Sequence, residues 1–259
     1  MKGNVNKQLS VLSIFLIVYA LIIFFTLLII PLNKIVPSNI TIPVQASSIS
    51  PLMLGLIGAG VVILAYGLLG LAGYWFACKL EIPAVYRERA GWRAWFLWPM
   101  LIGLSMGIIL VIIDQLFALA RSSKGLPHPD FPLSVISSAT AGIGEEILFR
   151  AFIMGLWAFL LNLILRRWEK KRVALWIGNI IAALAFSAAH LPSGMQQFNV
   201  TSPTEIPILI LAEGLMLNSL IGLVAGERYI RDGLIAAIGI HFWANVVWHI
   251  AWPLLGLGG

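Results

Sequence analysis

The sequence predicts an all-α fold, a polytopic transmembrane helix bundle of about seven to eight spans with a polar site buried among the fourth, fifth and seventh. Three observations predict it. Of 259 residues, 60% are apolar and 11% charged, where a soluble domain carries roughly 25% charged residues. Mean hydropathy is +0.95. Apolar runs of about 20 residues recur along the chain, each able as a helix to cross a hydrocarbon core about 30 Å thick.

Taken in order, the spans fall near residues 10–31, 51–78, 95–120, 132–165, 173–190, 205–225 and 232–252. The first, Val11 to Ile30, is longer than a signal-peptide core and lacks a nearby small-x-small cleavage site, so it reads as a retained anchor. Pro31, Pro37, Pro43 and Pro51 mark an irregular first loop. In the third, Gly103-x-x-x-Gly107 permits close helix approach, as does Gly222-x-x-x-Gly226 in the sixth. At 34 residues the fourth must tilt, extend beyond the bilayer or break in two. The expected organisation is a three-span region over 1–131, a core over 132–252 and a short tail over 253–259.

Net charge is +6 and the isoelectric point about 9.7, but the basic residues sit in short loops, where they set orientation. Nucleic acid is therefore not an expected partner; the lipid bilayer is. With the N-terminus cytoplasmic, 13 of the 17 basic residues lie inside: Lys2, Lys7, Lys79, Arg87, Arg89, Arg93, Arg166, Arg167, Lys170, Lys171, Arg172, Arg228 and Arg231. Lys34, Arg121 and Lys124 lie outside, and Arg150 falls within a span. This asymmetry predicts an integral protein of the plasma or cell membrane, N-terminus in and C-terminus out. The lone cysteine, Cys78, has no intrachain partner and reads as packing.

Against that background, Gly144-Glu145-Glu146-Ile147-Leu148-Phe149-Arg150 is anomalous, because a charge near the bilayer centre costs ~3 kcal/mol on insertion scales. At about 100° per residue, Glu146 and Arg150 lie about 40° apart on a helix while Glu145 is about 140° from Arg150. Arg150 can thus neutralise Glu146 and leave Glu145 free to take a proton from water. A Glu146–Arg150 pair alone could be purely structural, yet packing does not demand a second, adjacent carboxylate. Phe186-Ser187-Ala188-Ala189-His190 ends the fifth span and stacks Phe186 beside His190. His241-Phe242-Trp243-Ala244-Asn245 lies in the seventh and projects imidazole and amide the same way. Either motif alone could be interhelical hydrogen bonding. Together the three supply a base, imidazoles and an amide donor, the inventory of amide hydrolysis.

In this combination, Glu-Glu-x-x-x-Arg, Phe-x-x-x-His and His-x-x-x-Asn on successive helices, the chain resembles the CPBP family of intramembrane proteases over about residues 132–250. That family includes the CAAX prenyl endopeptidases of the Ras-converting type and bacteriocin-processing or immunity proteins. The resemblance implies an intramembrane endopeptidase acting on membrane-associated, lipidated or exported peptides and proteins. In it Glu145 would activate water, His190 would hold or polarise it, His241 and Asn245 would stabilise the oxyanion, and Glu146 with Arg150 would order the site. The alternative is a non-proteolytic immunity or scaffold protein of the same fold.

The family has been described both as metalloproteases and as metal-independent glutamate proteases, so the resemblance leaves the cofactor open. From the residues, Glu145, His190 and His241 could supply three ligands to a catalytic zinc ion. There is no His-Glu-x-x-His, however, and Asn245 suits an oxyanion better than zinc, which favours chemistry without a metal.

The predicted orientation opens the site toward the outer leaflet, which argues against cytosolic prenylated tails as substrates. Asp114, Gln115, Glu213 and Asn218 read as structural partners within spans, His249 as an interfacial histidine, and His128 as a loop residue with no visible partner.

Overall fold

In a computed structural model, which describes residues 5–35, 49–197 and 200–256, every regular element among the described residues is helical. Lys2, Pro37, Pro43 and the last three residues of the expected tail lie outside the described residues. Seven helices are long and apolar enough to cross a membrane: Val5–Ile29, Pro51–Leu80, Arg93–Ala120, Leu133–Trp168, Lys171–Met195, Ile208–Asp232 and Leu234–Leu254. These are the first to seventh spans. Large apolar side chains on their outer faces, among them Ile14, Leu21, Leu64, Leu68, Leu116 and Leu119, are exposed. Such surfaces are stable against lipid rather than water, and the chain is an integral membrane protein.

The sequence boundaries shift in two places for identifiable reasons. The sixth span continues past residue 225 to Asp232, because Arg228 pairs with Asp232 and Arg231 with Glu227, each one turn apart on the helix. Charges expected in a loop therefore complete a helix. The fifth span makes a turn at His190 but resumes as Leu191–Gln197, with Pro192 in its first turn where no N–H is needed.

The fourth span neither breaks nor ends early. It runs continuously for 36 residues, and its middle, Glu146–Met154, is π-helical. A π segment widens the turn and commonly marks a functional position. This one begins at the second glutamate of the acidic pair. A second π segment, Val246–Ala251, begins directly after Asn245.

The fourth span is also the hub of the bundle, packed against the first, second, fifth and seventh. Small residues set these approaches. A Cβ on Gly73 would lie 2.6 Å from the Ala151 backbone, and one on Gly103 would lie 2.6 Å from the Ile240 carbonyl. Gly107 is equally close to Val247, and Gly222 faces Ala183 at 3.1 Å. Gly103, Gly107 and Gly222 therefore bring backbones together, while Gly226 makes room for the Asn179 side chain.

At the end of the bundle nearest the N-terminus, the loop after the second span fixes the start of the seventh. Gln8 of the first span donates to the Tyr86 carbonyl at 2.9 Å, and its side-chain oxygen accepts from the Val85 and Tyr86 amides. The Ala84 and Val85 carbonyls accept in turn from Leu234 and Ile235, two of the orphan amides of that helix. Gly233 turns at φ +91°, and a Cβ there would strike Val85 at 2.8 Å. This joint sets the depth of His241 two turns further along.

Candidate active site

The three motifs converge on one cavity of about 440 Å³, lined by Glu145, Phe186, His190, His241 and Asn245 together with apolar residues of the third and sixth spans. Glu145 closes the α-helical first part of the fourth span and Glu146 opens the π segment, so the adjacent carboxylates leave the helix in different directions. Glu146 is fully buried, whereas the Glu145 side chain is 30% exposed and faces the cavity.

Glu146 holds two partners. Its Oε2 lies 3.1 Å from Arg150 Nε, the pair expected from i, i+4 spacing, and both side chains are completely buried. Its Oε1 lies 2.8 Å from His241 Nδ1. The guanidinium of Arg150 sits over the Phe186 ring, 5.0 Å from its centroid. Phe186 also meets His190 and His241 edge-on at 4.6 and 5.5 Å. One phenyl ring thus touches the guanidinium and both imidazoles.

The tautomers follow from the bonds. His190 Nδ1 lies 2.8 Å from the Phe186 carbonyl, an acceptor only, so Nδ1 carries the proton. His241 Nδ1 faces the Glu146 carboxylate, so in the neutral ring it too is the donor. Both Nε2 atoms then present lone pairs toward Glu145, His190 at 3.9 Å from Oε1 and His241 at 3.7 Å from Oε2. These distances are too long for direct hydrogen bonds and bring acceptor to acceptor. A water molecule, with two protons to donate, matches such a gap. Glu145 Oε2 is buried and has no hydrogen-bond partner among the described residues.

The same atoms test the metal reading. Both tautomers leave Nε2 free, as a metal ligand requires, and Glu146 on His241 Nδ1 is the kind of outer-shell partner such ligands have. Among the described residues, however, no group of three His, Cys, Asp or Glu side chains is disposed to hold a metal ion.

The remaining polar residues separate into supports and neighbours. Glu213 pairs with Arg121, and Asp114 accepts from the Leu126 amide at 2.8 Å and from Gln115 at 2.9 Å, as expected of structural partners. Asn218 donates to the Gly214 carbonyl and borders the cavity. His128, which the sequence left without a partner, meets His249, their Nδ1 atoms 3.2 Å apart. A separation of 121 residues offered no local signal for that contact. Tyr19 of the first span was also missed; its ring occupies the space where a Cβ on Gly144 would stand, at 2.8 Å, directly before Glu145.

Fold and site together define an integral membrane protein with an acid–imidazole centre inside its helix bundle. Residues 127–247, just under half of the chain, match the family model described as type II CAAX prenyl endopeptidase Rce1-like. The match takes in all three motifs, and the resemblance to CPBP intramembrane proteases is borne out over this segment. Over this segment the chain is similar to a family of CAAX-protease-like intramembrane endopeptidases. No curated protein and no solved structure matches the chain.

Proposed function

We propose that the protein hydrolyses peptide bonds of membrane-associated or exported peptides through a water activated by Glu145. The observation that carries this reading is the position of Glu145, a carboxylate with an unpartnered oxygen, facing a cavity and two imidazole Nε2 atoms. A purely structural acid would be paired like Glu146.

In this mechanism His241 enters the step as the imidazolium, and a water lies between Glu145 and the His190 Nε2 atom. Glu145 takes one of its protons as the oxygen attacks the carbonyl carbon. The negative charge that develops on the carbonyl oxygen is met by the Asn245 amide and by His241. His241 donates from Nε2 only as the imidazolium, whose charge would lie against the Glu146 carboxylate. When the tetrahedral intermediate collapses, the proton held by Glu145 passes to the departing amine. One water is consumed, and one carboxyl and one amine appear.

Orientation follows from the loop charges. With the N-terminus inside, the end of the cavity lined by Leu126, Pro127, Pro129, Leu191, Ser193 and Ile206 faces outward, which favours an exported or outer-leaflet substrate over a cytosolic prenylated tail. Alkaline phosphatase fused within 200–206 is expected to be active and within 166–170 inactive; the reverse pattern overturns this orientation.

The hydrolysis itself is tested with purified protein in proteoliposomes and internally quenched apolar peptides in ¹⁸O-labelled water. Cleavage is expected, with one label atom in each new carboxyl group and no loss of rate in a chelator. Loss in chelator that is restored by zinc overturns the metal-free route, and absence of cleavage across the peptide set overturns the peptidase. Asn245→Ala is expected to lower kcat by about 10²–10³, the usual cost of one oxyanion donor, with KM little changed.

A further inference from the structure

The fourth and fifth spans are joined by one tight turn at the end of the bundle nearest the N-terminus. The fourth closes in a 3₁₀ turn, Arg166–Trp168, Glu169 turns the chain at φ +56°, and the fifth begins at Lys171. Residues 166–172 comprise five basic residues, one acid and Trp168. Two of the five cations have partners within the chain. Lys171 pairs at 3.0 Å with Glu81, which follows the second span, and the Arg167 guanidinium lies 3.6 Å over the Trp168 ring. Arg166, Lys170 and Arg172 are exposed and form no ion pair among the described residues.

This placement works against the helix that carries it. Lys170 precedes the fifth span, and Lys171 and Arg172 occupy its first turn, where the helix dipole is positive and no acid offsets it. Lys79 of the second span extends the charge: its ammonium lies 5.5 Å from the Trp75 ring, which meets Phe159 of the fourth span edge-on at 5.1 Å. Within about two turns of the cluster, the same two spans expose Leu160, Leu163, Ile164, Trp176, Ile177 and Ile180. Trp168 and Trp75, each about half exposed, stand at the boundary between cations and apolar surface, the level at which tryptophan sits in a bilayer.

We propose that the 166–172 turn is a binding site for the headgroup of an anionic phospholipid, which clamps the fourth and fifth spans together at the end remote from the cavity. The unpaired cations meet the phosphate, and the acyl chains lie along the exposed apolar faces of the two spans. Juxtamembrane clusters of lysine and arginine attract anionic lipid in this way. A soluble phosphate would satisfy the cations and leave the apolar face unused, so the surface fits a lipid better. The clamped spans carry Glu145, Glu146 and His190, and bound lipid therefore steadies the frame of the site. Lipid binding at the turn requires no hydrolysis and is measured without it.

In full-length protein in a neutral detergent, the melting temperature is followed on titration with phosphatidylglycerol, with phosphatidylcholine of the same chains, and with inorganic phosphate. Phosphatidylglycerol is expected to raise it saturably, the other two to leave it unchanged, and high salt to weaken the effect by screening the exposed cations. In Arg166→Gln/Lys170→Gln/Arg172→Gln the half-saturating concentration is expected to rise at least about tenfold, since each such cation adds to the attraction. Lys7→Gln/Arg89→Gln/Arg93→Gln removes the same charge at the same end of the bundle and is expected to keep the parent response. Should the first variant fold poorly, Lys170→Gln/Arg172→Gln is compared with Arg89→Gln/Arg93→Gln instead. Equal stabilisation by phosphatidylcholine overturns recognition of the anionic headgroup, and equal stabilisation by inorganic phosphate overturns the lipid as ligand. An equal loss in both variants, or a loss in neither, overturns the turn as the site.

Discussion

Replacing Glu145 by glutamine is expected to abolish hydrolysis, with a fall in kcat of roughly 10³-fold or more, while leaving the fold intact. General bases contribute typically about 10²–10⁴ in rate, and among the described residues no other carboxylate lines the cavity. The amide is isosteric and cannot accept the water proton. The fold is spared because Glu145 makes no direct hydrogen bond that the glutamine would lose: its oxygens stand 3.7 and 3.9 Å from the imidazoles. Activity and thermal unfolding measured on the same preparation test both halves. Residual activity within tenfold of the parent removes Glu145 from the role of base, and unfolding of the variant removes the distinction between catalytic and structural acid.

Arg150→Met is expected to fail at the level of folding. The guanidinium neutralises Glu146 where neither side chain touches solvent, and removing one partner of such a pair costs about 3–5 kcal/mol. Total stabilities of about 5–15 kcal/mol leave little after that loss. The double variant Glu146→Met/Arg150→Met is expected to recover folding, because apolar groups of similar volume often replace a buried pair without cost. It is not expected to recover activity, since His241 Nδ1 then loses its acceptor. Folding is read from size-exclusion profile and melting temperature, activity from peptide cleavage. A well-folded single variant overturns the structural assignment, and an active double variant overturns the role of Glu146 in orienting His241.

The contrast between these glutamates was legible in the sequence to a definite depth. Helical spacing was enough to pair Glu146 with Arg150, because that interaction is local, and apolar run lengths were enough to count seven spans. The convergence of three motifs was legible from residue type, since polar groups in spans must find one another. Other features lay beyond that reach. The His241–Glu146 bond joins residues 95 positions apart, and the Arg121–Glu213 pair joins residues 92 apart. No periodicity encodes such pairings. The π segment was likewise invisible, because nothing from Glu146 to Met154 departs from α-helical spacing: its charged pair is i, i+4 and its other residues are apolar. His190 was placed at the end of the fifth span, and the helix Lys171–Ala189 does end there; that a further short helix, Leu191–Gln197, starts directly after it was not foreseen.

The π segment also makes the fourth span sensitive to its own length in a particular way. An α-helix can lose a residue near its end with only a local shift, but here the turns before Glu146 and those after Met154 face different neighbours, Tyr19 and Phe242 on one side and Phe76 and Gly178 on the other. The widened turns supply the angular offset between these two settings. Deleting one residue between 147 and 153 would shorten the span by only about 1.5 Å yet turn one half against the other by about 100°. Either Glu145 would leave the cavity or the Gly155 face would leave the second span. Variation in this span is therefore constrained by phase more than by hydrophobicity: many apolar substitutions fit, and a single insertion or deletion does not.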